Sequence, residues 1–450
     1  MQPEPSLKNC AHHIIQLLRL QLHDVAFAHR HRCRPQDFTR RRVLNFSALM
    51  LFLLQKSLKS LQLRLHEFLA QVADAADGPR VSAGALTHAR AKLRASAFVE
   101  LNQVVVIGTF YDPAQNAPVR RWRGHRLLGI DSSLLRLPQS LALAAHFGVG
   151  ERGNQHGAQA GYPQARISVL YDLLNELGLD GQLAGAASGE RELARAHWPA
   201  VAPGDVLIND RGFSGYRWFV EARQYGAHFI GRCSRGSFAL AQELFARDEA
   251  GVSVTVSLVA PKDLQAEARA SGWPLAMTVR FVTVRLPTGE LEVLATSLLD
   301  EAAYPTEGFG ETYRERWGIE TYYGRLKGRL DLEHFSGQTV VAVEQDFAAM
   351  VFLSNLESVI CGLAEEQLAR AGSGRKQAVQ VNRAVSLHAV KVKVLELLAS
   401  ETPVEQVLEA LQHWMVQNPV SVRPKRRVPR QSFSPARSYH FQRRVRAIVF

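Results

Sequence analysis

Residues 116 to 235 carry the pattern that most narrows the fold, because short apolar runs alternate there with two stretches of helical spacing. The runs that predict strands are HRLLGID, ARISVLYDLL, GLDGQLAGAA, DVLINDRG and AHFIGRCSR. Asn175-Glu176 lies between the second and third runs and predicts a hairpin turn. SGERELARAHWPA and GYRWFVEARQYG predict helices, the first capped by Ser188 before an acidic turn. The segment is therefore α/β, in the order strand, strand, strand, helix, strand, helix, strand.

This order is that of an RNase H-like domain, although mixed α/β sheets of other kinds share parts of it. Two of the apolar runs end in an aspartate, LLGID at Asp131 and DVLIND at Asp210. An aspartate at the end of a buried strand points to the edge of the sheet, where α/β proteins place their sites. Each aspartate has a purely local alternative: an Asx turn or helix cap at Asp131, and a tight turn at Asp210.

A third acidic residue lies in YRERWGIETYYGRLKGRL, residues 313 to 330, which predicts a single helix. At 100° per residue, one wedge of about 60° holds Tyr313, Arg316, Glu320 and Lys327. A neighbouring apolar stripe, suited to docking on a sheet, holds Ile319, Tyr323, Leu326 and Leu330. The alternative for Glu320 is an ordinary surface ion pair with Arg316.

Two glycines interrupt this helix, Gly324 and Gly328, and each costs about 1 kcal/mol against alanine. Gly324 follows Glu320 by four residues, so it leaves space beside the carboxylate. Close approach of a ligand, a metal or a DNA backbone would account for the glycines, and so would close packing of another helix.

Three carboxylates brought together repel one another unless divalent cations lie between them. Oxygen ligands without cysteine or histidine favour Mg²⁺ or Mn²⁺. Two such ions about 3.5–4 Å apart would hold the attacking and leaving oxygens of a phosphodiester. The sequence thus predicts a metal-dependent reaction on a phosphodiester.

The chain resembles the DDE transposases of the bacterial IS4 type. The family signature of Tyr, Arg, Glu and Lys at fixed spacing is matched by Tyr313, Arg316, Glu320 and Lys327. The first family acid is matched by Asp131, followed by Ser132-Ser133 and by Leu137-Pro138, and the second by Asp210 in NDRGF. Phe213 stands where the family more often has tyrosine, and residues 159–173 resemble its second and third strands. The resemblance covers about residues 125 to 335, with looser similarity in the helical ends.

The resemblance implies that Asp131, Asp210 and Glu320 are catalytic and hold two Mg²⁺ ions, for which Mn²⁺ can substitute. One ion would activate water to nick the transposon end, and the freed 3′-OH would then attack a second phosphodiester. The residues implied to contact DNA are Tyr313, Arg316, Lys327, Arg211 and Trp273. For Trp273, which would catch a flipped base, packing in the core is the alternative.

The resemblance also implies the partners: double-stranded DNA, as terminal inverted repeats and as target, and a second copy of the chain in a synaptic complex. The net charge of +12 and the sequence pI near 9.8 favour a polyanionic partner independently. The four cysteines, Cys10, Cys33, Cys233 and Cys361, form no CxxC pair, which argues against a zinc site or a disulfide framework. We expect a cytoplasmic protein without a membrane segment, because no signal peptide is recognisable and NFSALMLFLLQKS is too short to span a bilayer.

The predicted organisation is an RNase H-like catalytic domain with an antiparallel β insertion, flanked by helical N- and C-terminal regions. Residues 1–115 predict a helical DNA-binding domain, for which a capping or oligomerisation layer is the alternative. Residues 116–340 form the catalytic domain, with the insertion at about 236–305 containing a turn at 287–289 and strands separate from the preceding sheet. Residues 341–415 predict a helical region, and 416–450 a basic tail that either lies along phosphates or is a solvated, disordered arm.

Three other functions compete with transposition. One is an RNase H-like metal nuclease without strand transfer. The second is a degenerate transposase that acts only as a DNA-binding protein, against which the intact set of Asp131, Asp210 and Glu320 argues. The third is a structural basic protein, in which the spacing of the acids would be coincidental.

Overall fold

The structure, a computed structural model, describes residues 6–40, 42–56, 59–73, 80–152, 159–286, 288–371 and 377–422. The predicted basic tail therefore lies almost wholly outside the described residues. So does Pro287 of the predicted turn at 287–289.

The N-terminal region is helical, as predicted. Its helices are α1 (Leu7–His23), α2 (Val25–His31), α3 (Phe46–Leu54), α4 (Leu61–Val72), α5 (Ala83–Arg90), α6 (Ser96–Glu100) and α7 (Gly108–Tyr111), with a π-helical stretch at Leu101–Ile107 between the last two. The apolar run around α3 is a core helix, as expected, since seven apolar residues and one alanine of its nine residues are buried. Ser82 caps α5, because its hydroxyl accepts a hydrogen bond from the amide of Ala85.

The catalytic region is built on a mixed sheet. Its elements are β1 (Leu127–Arg136), α8 (Leu141–Phe147), β2 (Val149–Arg152), β3 (Gln159–Asp172), β4 (Leu177–Gly185), α9 (Glu190–Arg195), β5 (Val206–Asn209), α10 (Tyr216–Gln224) and β6 (His228–Arg232). The strands lie in the order β4-β3-β1-β5-β6, where β4, β3 and β1 are antiparallel and β1, β5 and β6 are parallel. Three antiparallel strands followed by two parallel strands that alternate with helices make the domain RNase H-like, as the sequence predicted.

Two local predictions in this sheet have different outcomes. The hairpin at Asn175-Glu176 is confirmed, and Glu176 adopts the left-handed region with φ 56° that the turn requires. The cap predicted at Ser188 is wrong, because α9 begins one residue later and its N-cap is Gly189, which offers no side-chain acceptor.

The β insertion is antiparallel, as predicted, but it is not separate from the sheet. Its elements are α11 (Ala239–Arg247), β7 (Ser253–Val259), α12 (Gln265–Ala270), β8 (Ala276–Arg285) and β9 (Leu291–Thr296). β9 pairs antiparallel with β6, so β7, β8 and β9 extend the central sheet. The physical reason is that β6 would otherwise end the sheet with unpaired backbone groups, and β9 satisfies them.

The predicted single helix over residues 313–330 is interrupted. It consists of α13 (Phe309–Arg314) and α14 (Trp317–Gly328), separated by Glu315 and Arg316. The backbone stays in the helical region there but tightens into i→i+3 hydrogen bonds, such as that from the amide of Arg316 to the carbonyl of Tyr313. Tyr313 therefore belongs to a different helix from Glu320. The predicted apolar stripe is confirmed, since Ile319, Tyr323, Leu326 and Leu330 are buried.

The C-terminal region packs against both the sheet and the N-terminal helices. Its elements are α15 (Val340–Ala371), β10 (Val379–Val381), α16 (Arg383–Ala399), α17 (Val404–Gln417) and β11 (Pro419–Ser421). By length and composition α15 alone among the described helices could cross a membrane, and 89% of its most apolar window is buried inside the protein. Buried side chains from Leu7 to Met415 join in one core cluster, so α15 is the central core helix of the fold.

Candidate active site

The register between β1 and β5 brings the first two acids together. The parallel pairs run from Leu127 opposite Val206 to Gly129 opposite Ile208. Asp131 and Asp210 each follow the last of these pairs by two residues, so their side chains lie at the same level and on the same face of the sheet. Asp131 is not at the end of its strand as predicted, because β1 continues to Arg136 along β3. It lies instead where β5 ends and the sheet opens.

Asp210 makes the tight turn that was its alternative, whereas Asp131 lies within strand β1 and forms neither an Asx turn nor a helix cap. Oδ1 of Asp131 accepts from the amide of Ser132 at 2.8 Å, and Oδ1 of Asp210 accepts from the amide of Gly212 at 2.8 Å. In each carboxylate the second oxygen stays available, so the hydrogen bond orients the side chain and still leaves a ligand atom. The turn at Asp210 is therefore compatible with a functional role.

Helix α14 is hydrogen-bonded to β1 at the level of Asp131. The hydroxyl of Tyr323 donates to the main-chain carbonyl of Asp131 at 2.6 Å. One turn later, Nζ of Lys327 donates to Oγ of Ser133 at 2.7 Å and to the carbonyl of Leu134 at 2.6 Å. These contacts place the helix that carries Glu320 directly beside the strand that carries Asp131.

Arg316 lies between the third acid and the first. Its Nη2 donates to Oε1 of Glu320 at 2.8 Å, and its guanidinium lies 4.9 Å from the ring centre of Trp317. Burial alone would lower the pKa of Arg316, but Tyr313, Glu320 and Asp131 outweigh it and raise that pKa. The predicted i, i+4 ion pair is thus present, but its arginine is only 8% exposed and also acts electrostatically on Asp131.

A fourth carboxylate, that of Glu190, lies near Asp131, and only its place in an acidic first helical turn was visible in the sequence. Oε1 of Glu190 accepts from the hydroxyl of Ser132 at 2.7 Å. Burial raises the pKa of Asp131 to about 6, the negative charges of Glu190 and Asp210 add to the rise, and the Ser132 amide and Arg316 oppose it. Asp131 is therefore surrounded by two like charges and one opposite charge.

Tyr313 and the buried carboxylate of Glu292 also lie close to Arg316. Tyr313 is 3% exposed, and burial raises its pKa to about 12. Glu292 of β9 is 3% exposed and pairs with Arg232 at 2.8 Å. The insertion thus contributes one buried carboxylate, Glu292, which pairs with the partly exposed Arg232 at the end of β6. In this conformation the Tyr313 ring is covered.

The glycines of α14 face open space. A Cβ atom placed on Gly324 or Gly328 would meet no atom within 4 Å beyond the helix itself. Close packing among the described residues therefore does not explain these glycines, which leaves the approach of another group as the alternative.

The two other predicted DNA-contact residues lie apart from each other. Arg211 is exposed in the turn that follows Asp210. Trp273 is half-buried against the small apolar cluster of Tyr216, Val220 and Ala260, with the guanidinium of Arg217 5.8 Å from its ring centre. Trp273 therefore packs in the way its alternative anticipated, and its role toward DNA stays a prediction.

The donor set fits a hard divalent cation. Asp131, Asp210, Glu190 and Glu320 offer only carboxylate oxygens, the ligands that Mg²⁺ and Mn²⁺ prefer. In the part of the chain that the structure describes, no three acidic, histidine or cysteine side chains are close enough together to hold one ion. Arg316 is the cation that lies beside both Glu320 and Asp131 in this arrangement.

Residues 122–356 match the family model of the transposase DDE domain. This match covers more than half of the 450-residue chain. The chain belongs to the DDE transposase family. It is accordingly an enzyme that cuts and transfers DNA, and enzymes of this family use divalent metal ions.

Among solved structures, the transposase is similar to the cryo-EM piggyBac transposase synaptic complex with hairpin DNA. The TM-score is 0.45 at 10% sequence identity, over 92% of this chain and 88% of that chain. A search of curated proteins finds no significant match. The family assignment therefore rests on the DDE domain match.

Proposed function

We propose that this chain is an IS4-type insertion-sequence transposase that cuts its element out of one DNA site and joins it to another. It binds the terminal inverted repeats, nicks them by Mg²⁺-dependent hydrolysis and transfers the 3′-OH strand into target DNA. The observation that carries the proposal is the hydrogen-bonded docking of α14 on β1 beside Asp131. This docking sets the signature helix, which carries Glu320, beside the strand that carries Asp131, and it supports the proposal that Glu320 joins the two aspartates when metal and DNA are bound.

The roles of the side chains follow from their placement. Asp131, Asp210 and Glu320 would hold two Mg²⁺ ions, or Mn²⁺ in their place. When bound, these ions activate the attacking oxygen and neutralise charge that develops on the phosphodiester. Arg316, held between the acids and Trp317, supplies a fixed positive charge at the scissile phosphate.

The DNA path follows the open side of α14. Gly324 and Gly328 allow a backbone to come close to Glu320, and Lys327 lies at the same end of the helix. Lys327 would exchange its hydrogen bonds to β1 for a terminal phosphate. Tyr313 and Arg211 flank the site, and Trp273 of the insertion would stack on a base.

The assembly and the compartment belong to the same proposal. Two copies of the chain would bring two transposon ends together in a synaptic complex, with the C-terminal helices as the interface. The enzyme would act in the bacterial cytoplasm, on the nucleoid.

The test is a cleavage and joining assay with the purified chain, Mg²⁺ and the DNA that flanks its own gene. We expect Asp131→Asn, Asp210→Asn and Glu320→Gln each to abolish nicking while end binding persists. Glu315→Gln is the matched control, because Glu315 is an exposed acid of the same signature segment.

Three outcomes would contradict the proposal in different ways. An acid variant that nicks at the wild-type rate removes that residue from the catalytic set. Hydrolysis products without joined strands identify a nuclease. End binding without any cleavage by the wild type identifies a DNA-binding protein.

A further inference from the structure

The main-chain carbonyl of Asp131 accepts hydrogen bonds from two side-chain hydroxyls. Tyr323 donates from α14 at 2.6 Å, and Ser168 donates from the neighbouring strand β3 at 3.2 Å. Tyr323 is three residues from Glu320, so its hydroxyl links the backbone of one acid to the helix that carries another. Two hydrogen bonds to one carbonyl restrict its position from two sides, and losing either donor leaves the acceptor only partly satisfied.

Ser168 is itself held by a buried chain of side chains. Its Oγ lies 2.9 Å from Nε2 of His197, and Nδ1 of His197 lies 2.7 Å from Oδ2 of Asp180. Ser168 and His197 are completely buried. Asp180 also accepts from the amides of Gln103 and Gln182 at 3.0 and 2.6 Å. These three side chains are the residue types of a hydrolytic triad, but the serine is buried away from substrate and faces a main-chain carbonyl.

The direction of the Ser168 hydrogen bond fixes the protonation of His197. A hydroxyl has one hydrogen, so Ser168 donates to Asp131 only if Nε2 of His197 donates to Ser168. Nδ1 donates to Asp180, and the imidazole then carries hydrogen on both nitrogens. Asp180 is the counter-ion: burial would raise its pKa, but the hydrogen bond from His197 and its charge outweigh burial and lower it.

We propose that Tyr323 and Ser168 are positioning residues that fix Asp131 against Glu320, and that doubly protonated His197, paired with Asp180, keeps Ser168 directed at the Asp131 carbonyl. This inference rests on the proposed metal-dependent function of Asp131 and Glu320. Removing groups that orient metal ligands typically weakens metal affinity or activity by about 10- to 100-fold.

The first test compares two neighbouring buried tyrosines of α14. Tyr323→Phe removes only the hydroxyl that reaches Asp131, whereas Tyr322→Phe removes a hydroxyl that lies beside Gly178 instead. We expect Tyr323→Phe and Ser168→Ala to weaken Mn²⁺ binding, measured by titration calorimetry on the full chain, and to slow Mg²⁺-dependent cleavage, each about tenfold. Affinity for the DNA flanking the gene should stay unchanged, and Tyr322→Phe should match the wild type in all three measurements.

The second test reads the histidine directly. In ¹⁵N spectra of the full chain with labelled histidine, both ring nitrogens of His197 should be protonated, and Asp180→Asn should remove the proton from Nε2. An unprotonated Nε2 in the wild type overturns the assignment of Ser168 as a donor to Asp131.

The outcomes separate this inference from the proposed function. A wild-type chain that neither binds Mn²⁺ nor cuts overturns both. A wild-type chain that does both, with Tyr323→Phe indistinguishable from it, overturns the inference alone. Equal losses in Tyr323→Phe and Tyr322→Phe show a general packing effect and also overturn it.

Discussion

At the scale of single residues, Arg316 is the side chain on which the site depends most. Its guanidinium pairs with Glu320, lies over Trp317 and acts electrostatically on Asp131. A planar, forked cation can make these contacts at once, whereas the ammonium of lysine is a point charge on a flexible stem. The site therefore requires the shape of arginine as well as its charge.

We predict that Arg316→Lys slows cleavage roughly tenfold or more, since a charge-assisted hydrogen bond contributes about 1.5–3 kcal/mol. Single-turnover cleavage at saturating DNA measures the effect. Arg314→Lys is the control, because Arg314 is exposed and pairs only loosely with Glu311, at 3.4 Å. Equal rates for the two variants would show that charge alone is sufficient at position 316.

At the scale of elements, the surface of α14 has three parts with different surroundings. Its buried stripe packs in the core, Tyr323 and Lys327 bind β1, and Gly324 and Gly328 lie on the open face. The glycines weaken the helix without any steric need inside the chain. This combination is expected of a surface that another molecule approaches closely.

We predict that Gly324→Ala and Gly328→Ala change stability and activity in opposite directions. Neither glycine has a positive φ, so alanine should stabilise the helix by about 0.5–1 kcal/mol, as judged by urea unfolding. The added methyl should at the same time reduce end binding and cleavage.

His413→Ala, at an exposed position of α17, controls for the effect of helix propensity by itself. Glycine variants that are more stable and fully active would remove DNA approach as the reason for these glycines.

At the scale of the whole molecule, a buried ionic network joins the N-terminal helices to the C-terminal core helix. Arg90 at the end of α5 contacts Asp346 of α15 at 2.7 Å, and it also donates to Gln345 at 2.8 Å and Ser336 at 2.6 Å. Lys56 lies 4.0 Å from Asp346 and is 2% exposed. Arg90, a basic residue of the predicted helical DNA-binding domain, is therefore used inside the protein.

We predict that Asp346→Asn lowers the free energy of unfolding by about 3–5 kcal/mol, because Arg90 and Lys56 would stay buried without a counter-ion. Urea denaturation measures the loss. Asp248→Asn removes an exposed partner of Arg285 and should change stability by less than about 0.5 kcal/mol. Similar values for both variants would mean that the network is not desolvated in solution.

A second prediction for this network concerns pH. Burial lowers the pKa of Lys56 from 10.5 to about 8, against the opposing charge of Asp346. Between these two pH values the unfolded chain binds a proton that the folded chain does not, so the free energy of unfolding should rise with pH across this window. This gain in the free energy of unfolding is complete above pH 10.5 and is lost as the pH falls to about 8.

Lys56→Met should remove that rise, which urea titrations at the two ends of the window would show. Lys59→Met, at an exposed position paired with Glu67, should leave it intact. A slope that is the same in Lys56→Met and the wild type would assign the pH dependence to other groups.

The sequence by itself determined the order of strands and helices, the acids Asp131, Asp210 and Glu320, and the buried stripe of α14. These features follow from local chemistry, since side-chain period and turn residues act over a few positions. Tertiary structure alone decided that β9 joins β6, that Asp131 lies within its strand, and that Glu190 and Tyr323 lie close to Asp131. Each of these depends on the register or packing of segments far apart in the chain, where the need to pair an open sheet edge and to satisfy a buried carbonyl selects one arrangement.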